Sequence, residues 1–437
     1  MTPASRSIQW SKFFAVLTSV LRLAGGLITF LIQVRFLGPH QFGVVGSAIT
    51  VAALASLVSD FGMNTYAMRW GSAKPERRDA VITLAVIVKA VLSVMFLLPC
   101  LVWVHLLGLS AHDDRAATLT IIGYFAAATA DVALVALRVR SLFDREMIIV
   151  AWTTVVSVAL VVVVAVVTRD VLPTALSFAA GRVLYLVAAL RAIRETLAGF
   201  RTTARGILRD GLALLIASKV YAADLVLSNA ANQIDVVIIA FFVDTASVGR
   251  YVVVTKLVQT AMPIIGMLAT VYLPPLASLH TSGKTDDYRS LARRMNLEFF
   301  ALGIVAGLCV IVIGPGATPI VFGPAYDAVR PLWPGIGVFL MLKVLGTAYG
   351  MQLVASGQIR WRVGTQIAAL VFLCGALVLL LPLGGILAAP WILSGTALIC
   401  LLGYGEAAAR QYKDAVSVRL YCLVYSAAAA GIFFAFW

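Results

Sequence analysis

Charged side chains are scarce in this chain. Lys, Arg, Asp and Glu make up 12% of its 437 residues, against 61% hydrophobic residues and a mean hydropathy of +0.98. That proportion cannot furnish a polar exterior, which excludes a soluble domain. Polar interruptions are also short. Apolar runs of about 18 residues or more, each long enough to cross a roughly 30 Å hydrocarbon layer as a helix, follow one another from end to end. Alternation of apolar and polar residues is missing, which argues against an outer-membrane barrel. Cysteine and histidine are few. Cys100, Cys309, Cys374, Cys400 and Cys422 lie in or beside apolar runs without metal-ligand spacing, and His40, His105, His112 and His280 are scattered near run ends. Both sets read as packing or interface residues, and no metal is implied. A nucleotide-binding loop and a nucleophile with a suitably spaced base are missing as well.

What the chain does hold is a series of thirteen spans, near residues 13–36, 43–66, 80–107, 116–137, 147–167, 170–192, 212–243, 247–274, 295–314, 331–354, 362–383, 385–404 and 417–436. The first contains Arg22, is long, and is followed by no small-residue cleavage site, so it reads as a retained helix rather than a leader. The net charge of +14 could suggest nucleic acid, but the basic residues fall in alternate loops. Arg69, Lys74, Arg77 and Arg78 follow the second span; Arg138, Arg140 and Arg145 the fourth; Arg191, Arg194, Arg201, Arg205 and Arg209 the sixth. Basic groups likewise follow the eighth, tenth and twelfth, and Arg6 and Lys12 precede the first. The positive-inside rule explains this pattern, excludes a nucleic-acid partner and puts the N-terminus in the cytoplasm.

The chain also repeats itself. "QVRFLGPHQFG" from Gln33 to Gly43 and "IAFFVDTASVG" from Ile239 to Gly249 superimpose at an offset of 206 residues, pairing Phe36 with Phe242 and Gly43 with Gly249. Spans one to six then correspond to seven to twelve, in the same orientation. Transporters are commonly built this way, with the substrate site between the halves. The expected organisation is an N-terminal six-helix lobe (1–192), a basic cytoplasmic linker (193–211), a C-terminal six-helix lobe (212–404), and a cytoplasmic loop with an extra helix (405–437). The linker, with Arg201, Arg205 and Arg209 four apart, suits an interfacial helix or a plain topogenic segment. Gly25 with Gly26, and Pro263 with Gly266, are candidate bending points.

Polar residues form seams within the spans. Ser19, Arg22, Gly26, Thr29 and Gln33 share one helical face, and Tyr221, Asp224, Ser228, Asn232 and Asp235 share the equivalent face of span seven. Small and polar residues also serve ordinary helix packing in membranes. Well inside the spans stand six cations, Arg22, Lys89, Arg182, Lys219, Lys256 and Lys343, against four carboxylates, Asp60, Asp131, Asp224 and Asp235. An isolated charge at mid-bilayer costs roughly 2.5–3.5 kcal/mol on insertion scales, so these groups must sit in ion pairs or around water. A wet cavity with surplus cations suits an anionic ligand such as a phosphate ester. Arg22, Lys256 and Lys343 are the leading substrate contacts, with Asn232 on the seam. Lys219 points away from its seam and could snorkel to the interface. Lys89 and Arg182 either meet substrate or bridge to Asp60 or Asp131. The carboxylates, above all Asp224 and Asp235, either load a coupling proton or sodium ion or serve as salt-bridge partners. No other cofactor is called for.

"RFLGPHQFGVVGSAITVAALASLVSDFGMNTYAMR" (Arg35 to Arg69), "NQIDVVIIAFFVDTASVGRYVVVTKLVQ" (Asn232 to Gln259) and "VFGPAYDAVRPL" (Val321 to Leu332) resemble corresponding segments of bacterial polysaccharide exporters. Those are the O-antigen flippase type of the multidrug/oligosaccharidyl-lipid/polysaccharide exporter superfamily. The resemblance implies an all-α integral membrane protein with about 12–14 transmembrane helices in two pseudo-symmetric six-helix lobes around a central cavity. It further implies a substrate consisting of an undecaprenyl-pyrophosphate-linked glycan (an O-antigen, capsule or exopolysaccharide repeat unit). That glycan would be carried across the bacterial inner membrane by alternating access. Membrane lipids, a polysaccharide polymerase and chain-length machinery are the implied partners. Two rivals remain. A multidrug or other lipid-linked substrate exporter would use the same architecture. A membrane polymerase or ligase would need catalytic groups in a sizeable outer loop, and the loops assigned outside are short.

Overall fold

The computed structural model describes residues 3–64, 66–68, 78–140, 142–198, 206–218 and 233–412. Among them the chain is helix and turn, with no strand. Backbone contacts divide it into two compact units, Met1–Ile234 and Asp235–Trp437.

The first unit opens with α1, Pro3–Asp60, which is two helical arms joined at Gly38. Gly38 takes φ 74° and ψ 173°, a conformation closed to side chains with a Cβ, and the following Pro39 suits the first turn of a new helix. Gly25 and Gly26, candidate bending points in the sequence, are both helical in this structure. Gly25 serves close packing instead, because a Cβ on it would stand 2.3 Å from Thr154 Cγ2. Helices α2 (Arg78–Leu106), α3 (Ala111–Ala133), α4 (Phe143–Thr168) and α5 (Val171–Ala192) follow. The α3–α5 contact is equally tight: a Cβ on Gly123 would lie 2.9 Å from the Ala179 Cα. Their shared core gathers Ala85 and Val88 from α2, Ala130 from α3, Val150 from α4 and Ala189 from α5. In the expected linker, a short helix Arg194–Ala198 precedes a helical stretch 206–218, and the Thr83 hydroxyl ties the former to α2 by donating to the Thr196 carbonyl at 3.3 Å.

The second unit begins with Ile234–Ile239 and a turn, after which Asp244 caps α6 (Thr245–Thr281) by accepting from the Ser247 backbone N–H at 3.0 Å and its hydroxyl at 2.6 Å. Gly38 and Asp244 are 206 positions apart, so both halves break at the repeat offset. Helices α7 (Thr285–Val321), a 3₁₀ segment Pro324–Leu332, α8 (Trp333–Ala355), α9 (Ile359–Gly384) and α10 (Ala388–Tyr412) complete it. The order of α6–α10 matches that of the second arm of α1 and α2–α5. The fixed offset is lost after α7, which at 37 residues exceeds the 29 of α2 and is followed by the 3₁₀ segment.

Eight helical stretches among the described residues are long and apolar enough to cross a membrane, and the two longest, Leu17–Asp60 and Ile359–Arg410, are each broken into two long helices. The protein is therefore an all-α, multi-pass membrane protein. At about 1.5 Å per residue α7 exceeds the bilayer core. Its first turns, with Asp286, Asp287 and Arg289, extend into water; sequence alone had left them between spans. The expected last span, 417–436, lies outside the described residues.

Candidate functional site

The polar groups of the first unit converge where α1, α3, α4 and α5 meet. Arg22 on α1 donates from Nη1 to Asp131 Oδ1 on α3, and from Nη2 to the Tyr185 hydroxyl on α5 at 2.8 Å. It also reaches Glu146 Oε1 on α4 at 3.3 Å. The Tyr185 hydroxyl in turn donates to Asp131 Oδ1 at 2.7 Å. Glu146 is fixed from its other side by Arg138, whose Nε lies 3.0 and 3.1 Å from the two carboxylate oxygens and whose Nη2 lies 2.7 Å from Oε1. The side chains of Arg22 and Asp131 remain 31% and 36% exposed, whereas that of Glu146 is 5% exposed. The Glu146–Arg138 pair is thus an anchor, and the Arg22–Asp131 pair borders open space.

Two clefts supply that space. The first, the narrower, runs from Arg22, Gly26 and Thr29 across to Ser157 and Arg182. The second is walled by Asp60, Asn64, Lys89 and Tyr124. Asp131 and Arg182 line both and form the partition between them. The span-one seam expected from the sequence is partly realised: Arg22, Gly26 and Thr29 face the first cleft, while Ser19 is exposed and Gln33 is buried with its amide nitrogen lacking a partner.

Lys89 and Arg182 do not form the expected ion pairs with Asp60 or Asp131 among the described residues. Lys89, 1% exposed, donates from Nζ to the Ser59 hydroxyl at 2.8 Å, the Ser56 carbonyl at 3.1 Å and the Ser56 hydroxyl at 3.3 Å. These oxygens lie in the last turns of α1, where the negative end of the helix dipole favours a cation. Arg182 stacks over the Phe178 ring, 4.9 Å from its centroid, in a cation–π contact, and lines both clefts. Asp60 accepts from the Asn64 amide at 3.0 Å. Around the clefts stand three cations, Arg22, Lys89 and Arg182, against two carboxylates, Asp60 and Asp131.

The remaining sequence candidates fall elsewhere. In the second unit Asp235, 2% exposed, accepts from the Tyr251 hydroxyl at 2.5 Å, and its Oδ1 has no partner. Lys256 is half-buried, feels the charge of Asp235 and donates to Gln259 Oε1 at 3.1 Å. Lys343 on α8 has a different neighbourhood: Phe339, its ring centroid 5.9 Å from Nζ, with Arg362 and Cys400. Lys219, Asp224 and Asn232 lie outside the described residues, as do Tyr221 and Ser228 of the second seam.

Sequence reasoning missed Glu146, Arg138 and Tyr185. Arg138 read as one of the basic residues after the fourth span, and Glu146 and Tyr185 were not singled out. The separation of Arg138 and Glu146 by eight residues was the one available signal, and it becomes meaningful only once α3 and α4 are known to meet at Arg22.

The fold is shared with transporters of the MOP superfamily. An inward-facing multidrug resistance MATE family transporter of that superfamily matches 94% of this chain and 99% of its own at 15% identity and a TM-score of 0.67. The lipid II flippase MurJ in an inward closed conformation matches 97% of both chains at 11% identity and a TM-score of 0.69. A MOP superfamily transporter from Pyrococcus furiosus Vc1 (DSM3638), described as having reversed polarity in its binding pocket, matches 98% of this chain and 96% of its own at 14% identity and a TM-score of 0.55. Within that fold class the family is set by sequence: residues 12–280 match the model of the polysaccharide biosynthesis protein family, and the chain belongs to it. No curated protein matches it.

Proposed function

We propose that the protein is a flippase for an undecaprenyl-pyrophosphate-linked oligosaccharide, an O-antigen, capsule or exopolysaccharide repeat unit, in the bacterial inner membrane with its N-terminus in the cytoplasm. The observation that carries this reading is the pair of adjacent clefts within membrane-crossing helices, sharing Asp131 and Arg182, where Arg22, Lys89 and Arg182 outnumber Asp60 and Asp131. A diphosphate offers the oxygens such groups bind, and guanidinium can engage it bidentately. Family membership and the fold shared with a lipid II flippase support the same substrate class. The head group enters from the cytoplasmic side and leaves on the other by alternating access, while the lipid stays in the bilayer. A coupling proton or sodium ion is carried by Asp60 or Asp235, carboxylates outside any ion pair among the described residues. A polysaccharide polymerase and chain-length machinery are the partners that would take the product. A multidrug cation exporter of the same fold would be poorly served by a cationic cleft.

The test is translocation of a pyrophosphate-linked lipid in proteoliposomes. Wild type moves it, and Arg22→Gln, which still inserts and folds, loses the activity. A wild-type protein inert toward that lipid but active on organic cations would overturn the proposal.

A further inference from the structure

The cation best placed to grip a diphosphate is already occupied. Arg22 holds Asp131 and the Tyr185 hydroxyl, and the same hydroxyl donates to Asp131, so the three form a closed ring of hydrogen bonds at the edge of the first cleft. A carboxylate on a guanidinium presents the same acceptor geometry as a phosphate oxygen pair. The two carboxylates on Arg22 are not equivalent. Glu146 is buried and retains three contacts from Arg138 whether or not Arg22 stays, so it is not freed when Arg22 turns. Asp131 has no second cation in ion-pair contact among the described residues, only the Tyr185 hydroxyl besides Arg22. It is more than a third exposed, and it forms the partition between clefts with Arg182.

From this geometry we infer that Asp131 is a tethered competitor of the substrate diphosphate: it occupies Arg22 in the empty protein, yields it when the head group arrives, and retakes it to expel the head group. This rests on the flippase reading above and adds a release step to it. An Arg22 left bare in the membrane interior would be costly, and a site without a rival anion would hold a diphosphate too long for turnover. When displaced, Asp131 remains beside Arg182, whose charge acts on Arg22 and Asp131 alike. Tyr185 positions the exchange, since its hydroxyl accepts from one partner and donates to the other.

The experiment measures binding and turnover separately on the full-length protein. Farnesyl pyrophosphate, a short pyrophosphate-linked lipid, is titrated calorimetrically in detergent, and translocation is followed in proteoliposomes. Asp131→Asn keeps the size of the side chain and removes the competing charge. The expected result is affinity at least about fivefold tighter than wild type, the low end of ordinary coupling between two ligands, with slower turnover. Tyr185→Phe, which keeps the ring and drops the shared hydroxyl, should shift both in the same direction by less, and carries the test if Asp131→Asn does not fold. Wild-type binding with unchanged or weaker affinity in the folded variants overturns the competitor role and leaves the flippase reading standing. No farnesyl pyrophosphate binding by wild type, together with no translocation, overturns both.

Discussion

Lys89 carries an ammonium group into a position 1% exposed, and the three oxygens that hold it all belong to Ser56 and Ser59. Its role in stability and its role toward substrate are separable. Lys89→Met keeps the length of the side chain and removes a buried charge, and the serines left behind still pair with each other, since the Ser59 hydroxyl donates to the Ser56 carbonyl at 3.1 Å. We expect Lys89→Met to unfold near the wild-type temperature in detergent yet to translocate a pyrophosphate-linked lipid at least tenfold more slowly; wild-type flipping would make Lys89 a purely structural cation. Asp244 stands outside the spans, and its titration can be signed. Partial burial pushes its carboxyl up, but hydrogen bonds from the Ser247 hydroxyl and N–H and the charge of Arg250 outweigh this and hold it below the usual carboxylate range. A depressed folded-state pKa means that the cap stabilises above the ordinary value and is lost as pH falls through the lower one. Asp244→Ala should therefore cost about 1 kcal/mol at neutral pH, and the gap to wild type in thermal unfolding should close on acidification well below the ordinary carboxylate pKa of about 3.9.

At the scale of helices, close approach governs the first unit. A Cβ on Gly123 meets the backbone of Ala179 rather than a flexible side chain, so relief requires α3 and α5 to move apart. Overpacking of this kind costs about 1–3 kcal/mol, and Gly123→Ala should lower the unfolding temperature measurably while Gly26→Ala, which faces open space, should not. How far the sequence exposed these elements follows from which signals are local. Hydropathy located α2, α4, α5 and α9 to within a few residues, because a membrane-crossing helix must be apolar over its whole length. The repeat pairing Phe36 with Phe242 and Gly43 with Gly249 was legible because two short helix ends carry it; that the helix break at Gly38 and the cap at Asp244 share the same offset is visible only in the structure. The break at Gly38 was not singled out, although it alone in α1, followed by proline, takes a positive φ. The partners of Arg22 were illegible for a different reason. Asp131 lies 109 residues away, Glu146 124 and Tyr185 163, and no periodicity within one helix encodes a meeting of four.

For the molecule as a whole, the distribution of basic residues predicts which ends of the helices meet the cytoplasm. Single cysteines placed at Lys284 and Arg360, in a background lacking the five natural ones, should react with a membrane-impermeant maleimide only from the cytoplasmic side. Cysteines at Asp170 and Arg330 should react from the opposite side; the reverse labelling pattern would invert the proposed direction of transport. Labelling would also serve as a check on folding for the Arg22 and Asp131 variants.

The grip of Lys89 on the final turns of α1 bears on how the chain is made. When α2 emerges from the ribosome its lysine has no internal counterpart, and the oxygens that satisfy it sit on the helix synthesised just before. A lysine at mid-helix costs roughly 2.5–3.5 kcal/mol on insertion scales, and the oxygens that offset it arrive on the preceding helix, so loss of the Ser56 and Ser59 hydroxyls should lower the yield of inserted protein as well as transport.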